Sequence, residues 1–258
     1  VPIIAGNTPV CPYSAGNVYS TATGMTNYIW NVTGGTITGG GGNGDNSVTI
    51  TWGATGTGHV MVNYTDANGC TATAQTDYPV TIIYPVHNST ASTDHLTLQD
   101  AINAATPGDV IELLCNHSEG LVTVNKQVTI DGNDNTLTST SANWGMDLSA
   151  VGINIHDLVL QNAGTYGIQQ GCDANNLVMT DVTVQNCGGT GISIYGSDNI
   201  LLTDIKSFNN MGNGLNVTNC NNVVINGLTT SGNAFGGGFS AGIGLFTSHT
   251  YCLPAGIN

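Results

Sequence analysis

The chain is almost devoid of basic residues. Arginine is absent, and Lys126 and Lys206 are the only lysines against 16 acidic residues, so the formal net charge at pH 7 is -14. Nucleic-acid binding is excluded because it requires cationic side chains that neutralise phosphates, and an anionic membrane surface is equally unattractive. No apolar run reaches the length of about 18 residues that a membrane-spanning helix needs. The acid excess instead suits divalent cations, a salty medium or simple solubility.

Charged residues of both signs make up only 7% of the chain, so its polar surface must come from Asn, Thr, Ser and Gly. Seven cysteines accompany this composition, which favours an oxidising, extracellular setting. The first residues, from Val1 to Ile4, contain no Met and no signal-peptide pattern. We therefore expect a mature product or a piece of a longer protein.

A repeat occupies the middle of the chain. Its copies start at Ile153, Leu177, Ile200 and Val223, so they are spaced by 24, 23 and 23 residues. Apolar residues alternate within each copy, as they do in a strand. A fixed period built from short strands and polar turns predicts a solenoid, in which like residues stack about 4.8 Å apart. With earlier copies near Val110 and Val128, we expect about six rungs.

Residues 1–84 have a different pattern, in which short alternating apolar runs are separated by clusters of Gly, Asn and Asp. The runs are residues 28–32, 47–52, 59–64 and 79–84. This pattern predicts a small antiparallel β-sandwich. Cys11 precedes the first of these strands and Cys70 follows a tight turn near the last, so we expect a Cys11–Cys70 disulfide. Closing a loop of that length would contribute roughly 4 kcal/mol.

Five short motifs follow one another in the same region: Val10-Cys11, Tyr28-Ile29-Trp30, Gly34-Gly35-Thr36-Ile37, Thr51-Trp52-Gly53 and Asn68-Gly69-Cys70. Together they resemble the PKD-like, immunoglobulin-type modules of large Bacteroidetes surface proteins. Such modules act as spacers or stalks in secreted adhesins and exported enzymes, and the resemblance implies that role here. It also implies export by the type IX secretion system of that phylum, with gliding motility or surface attachment as the setting.

Residues 85–95 are polar and are expected to form a linker. The next segment, residues 97–105, is predicted to be a short helix with Thr97 as its N-cap and Asp100 three residues later. Its apolar face is made by Leu98, Ala101, Ile102 and Ala105. A helix placed before a solenoid covers the apolar interior of the first rung and blocks edge pairing, so we expect a capping helix.

Residues 96–113 and 128–138 resemble the first turns of the right-handed parallel β-helices of the pectate-lyase-like superfamily. With the later repeats, this resemblance covers residues 96–258. The predicted fold is therefore all-β: an N-terminal antiparallel β-sandwich (1–84), a linker (85–95) and a right-handed parallel β-helix (96–258) with its capping helix. From Phe235 onward the Gly-rich tail loses the register of the repeat.

Three aspartates share one column of the repeat: Asp157, Asp181 and Asp204. Carboxylates along one edge suit Ca²⁺ binding or acid–base work on a glycosidic bond. They are therefore the candidate metal ligands, and the candidate catalytic residues if the chain is an enzyme. A turn role is the stronger expectation, because Asp is common at corners where its side chain bonds backbone amides, and Gly227 takes the next place in the column.

Other polar groups give weaker signals. His156 beside Asp157 suggests a base with an orienting carboxylate, but its column continues with Thr180, so a surface histidine is expected. The segment from Asp131 to Asp134 resembles a metal loop superficially, and a turn after a strand is expected there. A further column, expected to form an asparagine ladder, contains Asn162, Asn186 and Asn209.

The pairing of the remaining cysteines stays open: Cys115, Cys172, Cys187, Cys220 and Cys252. Cys172 and Cys220 fall two rungs apart in almost the same column. Two strand spacings amount to about 9.6 Å, which is too far for a direct disulfide between them.

The resemblance to β-helix enzymes implies little about activity. Lytic members use Arg or Lys with Ca²⁺, and hydrolytic members use three aspartates, often with a basic pair. This chain has no Arg, and none of its motifs matches either site. We therefore expect a non-enzymatic segment of a secreted or cell-surface adhesin, a stalk with a rigid β-helix, whose partners are an extracellular glycan or surface and further domains of the same chain. The alternatives are a polysaccharide lyase or glycoside hydrolase acting in the β-helix groove, and a calcium-stiffened structural domain.

Overall fold

The computed structural model describes residues 1–172, 174–233 and 242–246. The chain divides into two units, residues 1–84 and 85–258, and the division falls where the pattern of the sequence changes. Cys252 and most of the Gly-rich tail lie outside the described residues. No helix in the described ranges combines the length and the hydrophobicity that crossing a membrane requires.

The first unit consists of two antiparallel sheets of three strands each. Its strands are β1 (Asn17–Ser20), β2 (Thr26–Thr33), β3 (Gly35–Gly40), β4 (Ser47–Trp52), β5 (Gly56–Thr65) and β6 (Thr76–Ile82). One sheet has the order β1-β4-β3 and the other β2-β5-β6. The four predicted runs form most of β2, β4, β5 and β6.

Aromatic side chains fill the core of the first unit. Trp52 is 1% exposed and meets the ring of Tyr19 edge-on, with ring centroids 5.8 Å apart. The indole N–H of Trp52 donates to the hydroxyl of Tyr19 (3.2 Å), which donates to the carbonyl of Asn7 (2.7 Å). Both polar groups are therefore satisfied inside the core, as buried Trp and Tyr require. Gly58 has no side chain because the Trp52 ring occupies the place of a Cβ.

The predicted Cys11–Cys70 disulfide is wrong. Cys70 is a free, exposed thiol, whereas Cys11 is disulfide-bonded to another cysteine. Val10 pairs with Ile82 at the end of β6, while Cys70 comes before β6 begins. The seven residues of β6, at about 3.3 Å each, span roughly 20 Å, far beyond the roughly 7 Å between Cα atoms that a disulfide tolerates.

Cys115 and Cys172 are also disulfide-bonded, whereas Cys187 and Cys220 are free. Cys172 and Cys220 are therefore not joined to each other, as the strand spacing predicted.

The second unit is a parallel β-solenoid. Its elements are β7 (Val86–Asn88), β8 (Thr93–His95), α1 (Leu98–Ala104), β9 (Val110–Leu113), β10 (His117–Glu119), β11 (Val122–Val124), β12 (Thr129–Asp131), β13 (Thr136–Ser139), β14 (Met146–Leu148), β15 (Asn154–Gln161), β16 (Ile168–Gln170), β17 (Val178–Gln185), β18 (Ile192–Tyr195), β19 (Asp198–Phe208), β20 (Leu215–Thr218), β21 (Asn221–Ser231) and β22 (Ile243–Phe246).

Two stacks of parallel strands form the walls of the solenoid. The long-strand sheet contains β9, β12, β15, β17, β19 and β21, and the short-strand sheet contains β11, β14, β16, β18, β20 and β22. The described residues contribute six strands to each stack, which corresponds to about five full turns and confirms the predicted architecture.

Aliphatic columns form the interior, as the repeat predicted. The register of the long-strand sheet aligns Ile111, Ile130, Ile155, Met179, Leu202 and Ile225. All but Ile225 are 0% exposed. Because each side chain sits on its equivalent in the next strand, the sequence period translates directly into packing.

The capping helix is confirmed, one residue shorter at each end than predicted. The side chain of Thr97 accepts the backbone N–H of Asp100 at 3.0 Å. Leu98, Ala101 and Ile102 are fully buried against the solenoid core. The ammonium of Lys126 donates to the carbonyls of Asn103 and Ala105, where the helix ends.

Residues 85–95, predicted to be a linker, are part of the solenoid instead. β7 pairs antiparallel with both β8 and β9, so it extends the long-strand sheet. Val86 is 0% exposed and Asn88 is 1% exposed. The amide of Asn88 donates to the carboxylate of Asp109 at 2.8 Å. The polar composition was misleading because a buried Asn is tolerated when a partner satisfies its amide.

The Gly-rich tail also departs from the prediction in the part that the structure describes. Ile243–Phe246 forms β22 and pairs in parallel with β20, with Leu215 opposite Ile243. These two positions are 28 residues apart, instead of 23 or 24. Because this spacing is longer than the repeat, the sequence pattern did not reveal the strand, which nevertheless keeps the register of the short-strand sheet.

Candidate functional site

The predicted aspartate column forms a corner of the solenoid. Asp157, Asp181 and Asp204 adopt positive φ angles of 51°, 50° and 52°, and Gly227 in the next strand adopts 76°. Each residue bends a long strand at the same point. Asp and Asn enter this left-handed conformation more readily than other residues with a Cβ, and Gly enters it without cost. The backbone conformation therefore accounts for the residue types in this column.

The three carboxylates do not form one metal site. Asp157 and Asp204 are two strands apart, which corresponds to about 9.6 Å, too far for a shared ion with bonds of about 2.3–2.6 Å. Asp181, between them, accepts a hydrogen bond from the ammonium of Lys206 at 2.7 Å. The sequence alone did not bring Lys206 to this corner, so the contact was not predicted.

Lys206 is the cation of this corner. The hydrogen bond to Asp181 raises the pKa of Lys206, and the negative charges of Asp181, Asp204 and Asp134 act in the same direction. Both partners of the ion pair are nearly half-exposed. Solvent therefore screens the pair, and it contributes at most about 1 kcal/mol.

Asparagine ladders exist in columns other than the predicted one. Asn162, Asn186 and Asn209 are exposed corner residues with positive φ. The side-chain amides that do bond to one another belong to Asn176, Asn199 and Asn222, at 3.0 Å per step. A second ladder is formed at buried Asn210, whose amide donates to Asn233 at 3.0 Å. Both ladders stabilise turns.

The long-strand sheet brings together a group of ligand-type side chains that sequence reasoning treated separately. Asp131 ends β12 and lies directly opposite His156 on β15, and Asp157 follows at the corner. His156 Nδ1 lies 2.9 Å from Asp157 Oδ2 and 3.5 Å from Asp131 Oδ1. The three donor atoms all lie within 4.8 Å of one another. We call this group the Asp-His-Asp cluster.

The backbone positions the cluster. Asp131 Oδ1 accepts the N–H of Asn133 at 2.8 Å, which fixes the carboxylate at the start of the turn. The positive φ of Asp157 at the corner sets the direction of its side chain. The signal that would have found the cluster was present in the sequence: Ile130 and Ile155 share a column, so the residues after them, Asp131 and His156, must share the next one.

A second polar surface lies on the outside of the short-strand sheet. Successive strands place one residue each in register on this face: Thr123, Asp147, Gln169, Ser193 and Asn216. Ser193 is 7% exposed, and the other four are half-buried. Apart from Asp147, they are uncharged hydrogen-bonding groups. Burial raises the pKa of the Asp147 carboxyl. Sequence reasoning did not single out this row, because its members are chemically dissimilar.

Comparison with known proteins gives a match to a family model in the first unit and a distant similarity to a solved structure. Residues 1–80 match the family model for a PKD-like domain. Among solved structures, the chain is similar to a family 28 exopolygalacturonase from Yersinia enterocolitica, with 11% identity and a TM-score of 0.30 over 94% of this chain and 68% of that one. Such a distant likeness implies neither activity nor substrate. No curated protein matches the chain. The chain thus carries a PKD-like domain, and a parallel β-solenoid follows it.

Proposed function

We propose that this chain is a non-enzymatic segment of a secreted cell-surface protein of the adhesin type. The PKD-like domain serves as a spacer, and the solenoid is a rigid element that contacts an extracellular glycan. The observation that carries the proposal is the corner conformation of the aspartate column. Because Gly227 takes the same conformation as Asp157, Asp181 and Asp204, the column is explained by backbone geometry without catalysis.

The carboxylates of the short-strand sheet support the same reading. Glycoside hydrolysis by the usual route needs two carboxyl groups about 5–9.5 Å apart that flank the scissile bond. The row on the short-strand sheet offers one carboxyl group, Asp147, among its five described members. Lysis would need a base near the substrate. The row contains neither Lys nor His, and both lysines are engaged elsewhere, Lys126 with helix carbonyls and Lys206 with Asp181.

Glycan contact is assigned to the outward row of the short-strand sheet. Amide, hydroxyl and carboxyl groups repeated at about 4.8 Å can hydrogen-bond the hydroxyls of an extended sugar chain. Trp144 and Tyr166, both half-buried, lie three residues before Asp147 and Gln169. Their rings offer apolar surface beside polar groups.

A location outside the cell is consistent with the disulfide-bonded state of Cys11, Cys115 and Cys172, because disulfides persist in oxidising compartments. Export by a type IX system and a role in gliding or attachment follow from the resemblance of the first unit to Bacteroidetes modules, and belong to this proposal.

Incubating the full chain with a panel of soluble and insoluble polysaccharides tests the proposal. We expect co-sedimentation with at least one of them and no new reducing or unsaturated ends. Gln169→Ala should weaken binding, while Thr183→Ala, on the outside of the long-strand sheet, should not. New ends that disappear in Asp147→Asn or Asp181→Asn would overturn the proposal in favour of a hydrolase or lyase. If the chain neither binds nor cleaves any polysaccharide, glycan binding is ruled out and only the spacer role of the proposal remains.

A further inference from the structure

The Asp-His-Asp cluster has dimensions close to those of three ligands of a tetrahedral metal site. A tetrahedral ion holds nitrogen and oxygen ligands at about 2.0–2.2 Å, which places neighbouring ligand atoms about 3.3–3.6 Å apart. The observed separations from His156 Nδ1 are 2.9 Å and 3.5 Å. Small side-chain rotations therefore suffice to bring all three donor atoms to bonding distance of one ion.

The strand next to the cluster adds a further carboxylate to this face of the sheet. Glu112 on β9 lies directly opposite Asp131 on β12, and both side chains point outward from the sheet. Side chains directly opposite each other on one face have Cβ atoms about 5 Å apart, and like charges in this position are destabilising. A cation near these two adjacent carboxylates would therefore reduce their repulsion.

The chain has no lysine or arginine to offer in that place. Lys126 is bound to the carbonyls at the end of α1 and Lys206 to Asp181, and Arg is absent. Among the residues that the structure describes, His156 is the one group of basic character that contacts Asp131. The other histidine on this face, His87, lies opposite Glu112 and is paired with Asp94 at 2.7 Å. A bound cation would balance the negative charges of Glu112 and Asp131 on this face of the sheet.

The donor set selects the class of cation. Calcium prefers six to eight hard oxygen ligands, whereas one imidazole with two or three carboxylates suits zinc and similar divalent transition metals. We infer that Asp131, His156 and Asp157 bind a divalent ion of the zinc class on the outer face of the long-strand sheet, with the fourth position open to water.

The ion would join consecutive turns of the solenoid near its capped end. Its ligands come from β12 and β15, which are otherwise joined through backbone ladders and interior packing. Because an ion that binds the folded chain alone stabilises it, the site would link these two neighbouring rungs. This inference does not depend on whether the short-strand sheet binds glycan.

Titration calorimetry on the chelator-treated full chain tests the site, with Zn²⁺, Ca²⁺ and Mg²⁺ each added alone. We expect one Zn²⁺ per chain, a higher melting temperature with Zn²⁺, and at least about tenfold weaker binding of Ca²⁺ and Mg²⁺. His156→Gln and Asp157→Asn should each weaken Zn²⁺ binding by about tenfold or more. Co²⁺ should give visible absorption bands of four-coordinate intensity, lost in His156→Gln.

Asp204→Asn is the matched control, because it removes the same charge from an equivalent corner (φ 52° compared with 51° at Asp157) without a neighbouring histidine. Its Zn²⁺ affinity should stay within about twofold of the parent. Asn tolerates the corner conformation, so Asp157→Asn remains informative even if His156→Gln perturbs the fold. The inference is overturned if Zn²⁺ does not bind, if Ca²⁺ binds more tightly, or if Asp204→Asn weakens binding as much as Asp157→Asn.

Discussion

The two units solve the same problem, burying one face of each strand, in different ways. The PKD-like unit pairs its strands antiparallel and fills its core with unlike residues, such as Trp52 against Tyr19. The solenoid pairs its strands in parallel and stacks like on like, as in the column through Ile155 and Met179. Repetition makes the register of the solenoid readable from sequence, whereas each contact of the first unit is particular to its position.

The largest effect is expected from removing the aromatic centre of the first unit. Trp52→Ala should lower the free energy of unfolding of that unit by about 3–5 kcal/mol, since a large side chain leaves a cavity and Tyr19 loses its partner. Urea denaturation followed by circular dichroism measures the loss. Val18→Ala, at a position 56% exposed, should change stability by less than about 0.5 kcal/mol. Equal effects of both substitutions would contradict the assigned core.

Shortening a buried side chain inside the solenoid tests how evenly stability is distributed along an apolar column. Ile155→Ala should cost about 2–4 kcal/mol, because Ile155 is fully buried between Ile130 and Met179. Ile225→Ala, in the same column but half-buried, should cost less than half as much. Thermal unfolding of both variants provides the comparison. A larger loss at Ile225 would show that the last described rung carries more of the stability than its burial indicates.

Substitutions at the corner aspartate Asp181 separate the effect of backbone conformation on stability from the effect of side-chain charge. Asp181→Ala should cost about 1–2 kcal/mol, because Ala disfavours the left-handed conformation. Asp181→Asn keeps that conformation and loses only the exposed ion pair with Lys206, so its cost should stay below about 1 kcal/mol. Chemical denaturation of the two variants ranks the costs. A larger loss for Asn than for Ala would mean that charge, and not backbone conformation, selects Asp at this corner.

The smallest effect on stability is expected at Asp109, which follows the capping helix α1 in the chain. Hydrogen bonds from the Asn88 amide and from the backbone and hydroxyl of Thr106 lower the pKa of Asp109. Because the folded-state pKa is below the unfolded one, this contribution is complete above the ordinary carboxyl pKa and is lost as the pH falls through the lowered value.

Unfolding midpoints measured from neutral to acidic pH check this dependence. Asp109→Asn should flatten the acid limb of the stability curve, whereas Asp134→Asn, at an exposed position, should leave it unchanged. An identical acid limb in Asp109→Asn and in the parent would contradict the assigned role of the carboxylate.

Particular residues show how far sequence reasoning reaches. The apolar columns, the Thr97 cap and the corner at Asp157 follow from local periodicity and residue preference, and the structure confirms them. The Cys11–Cys70 pairing failed because chain order does not tell at which end of β6 a residue lies. The linker assignment failed because burial of Asn88 depends on Asp109, a partner 21 residues away.

The candidate site shows the same limit. The sequence contained Asp131, His156 and Asp157, and its period placed Asp131 and His156 in one column, but the distances of 2.9 Å and 3.5 Å arise only when the turns stack. By itself the sequence determined the parallel solenoid, since a fixed period forces like residues into register. Tertiary structure alone decided which cysteines bond, which Asn residues form ladders and which carboxylates meet a histidine, because those contacts join strands whose lateral alignment no local preference encodes.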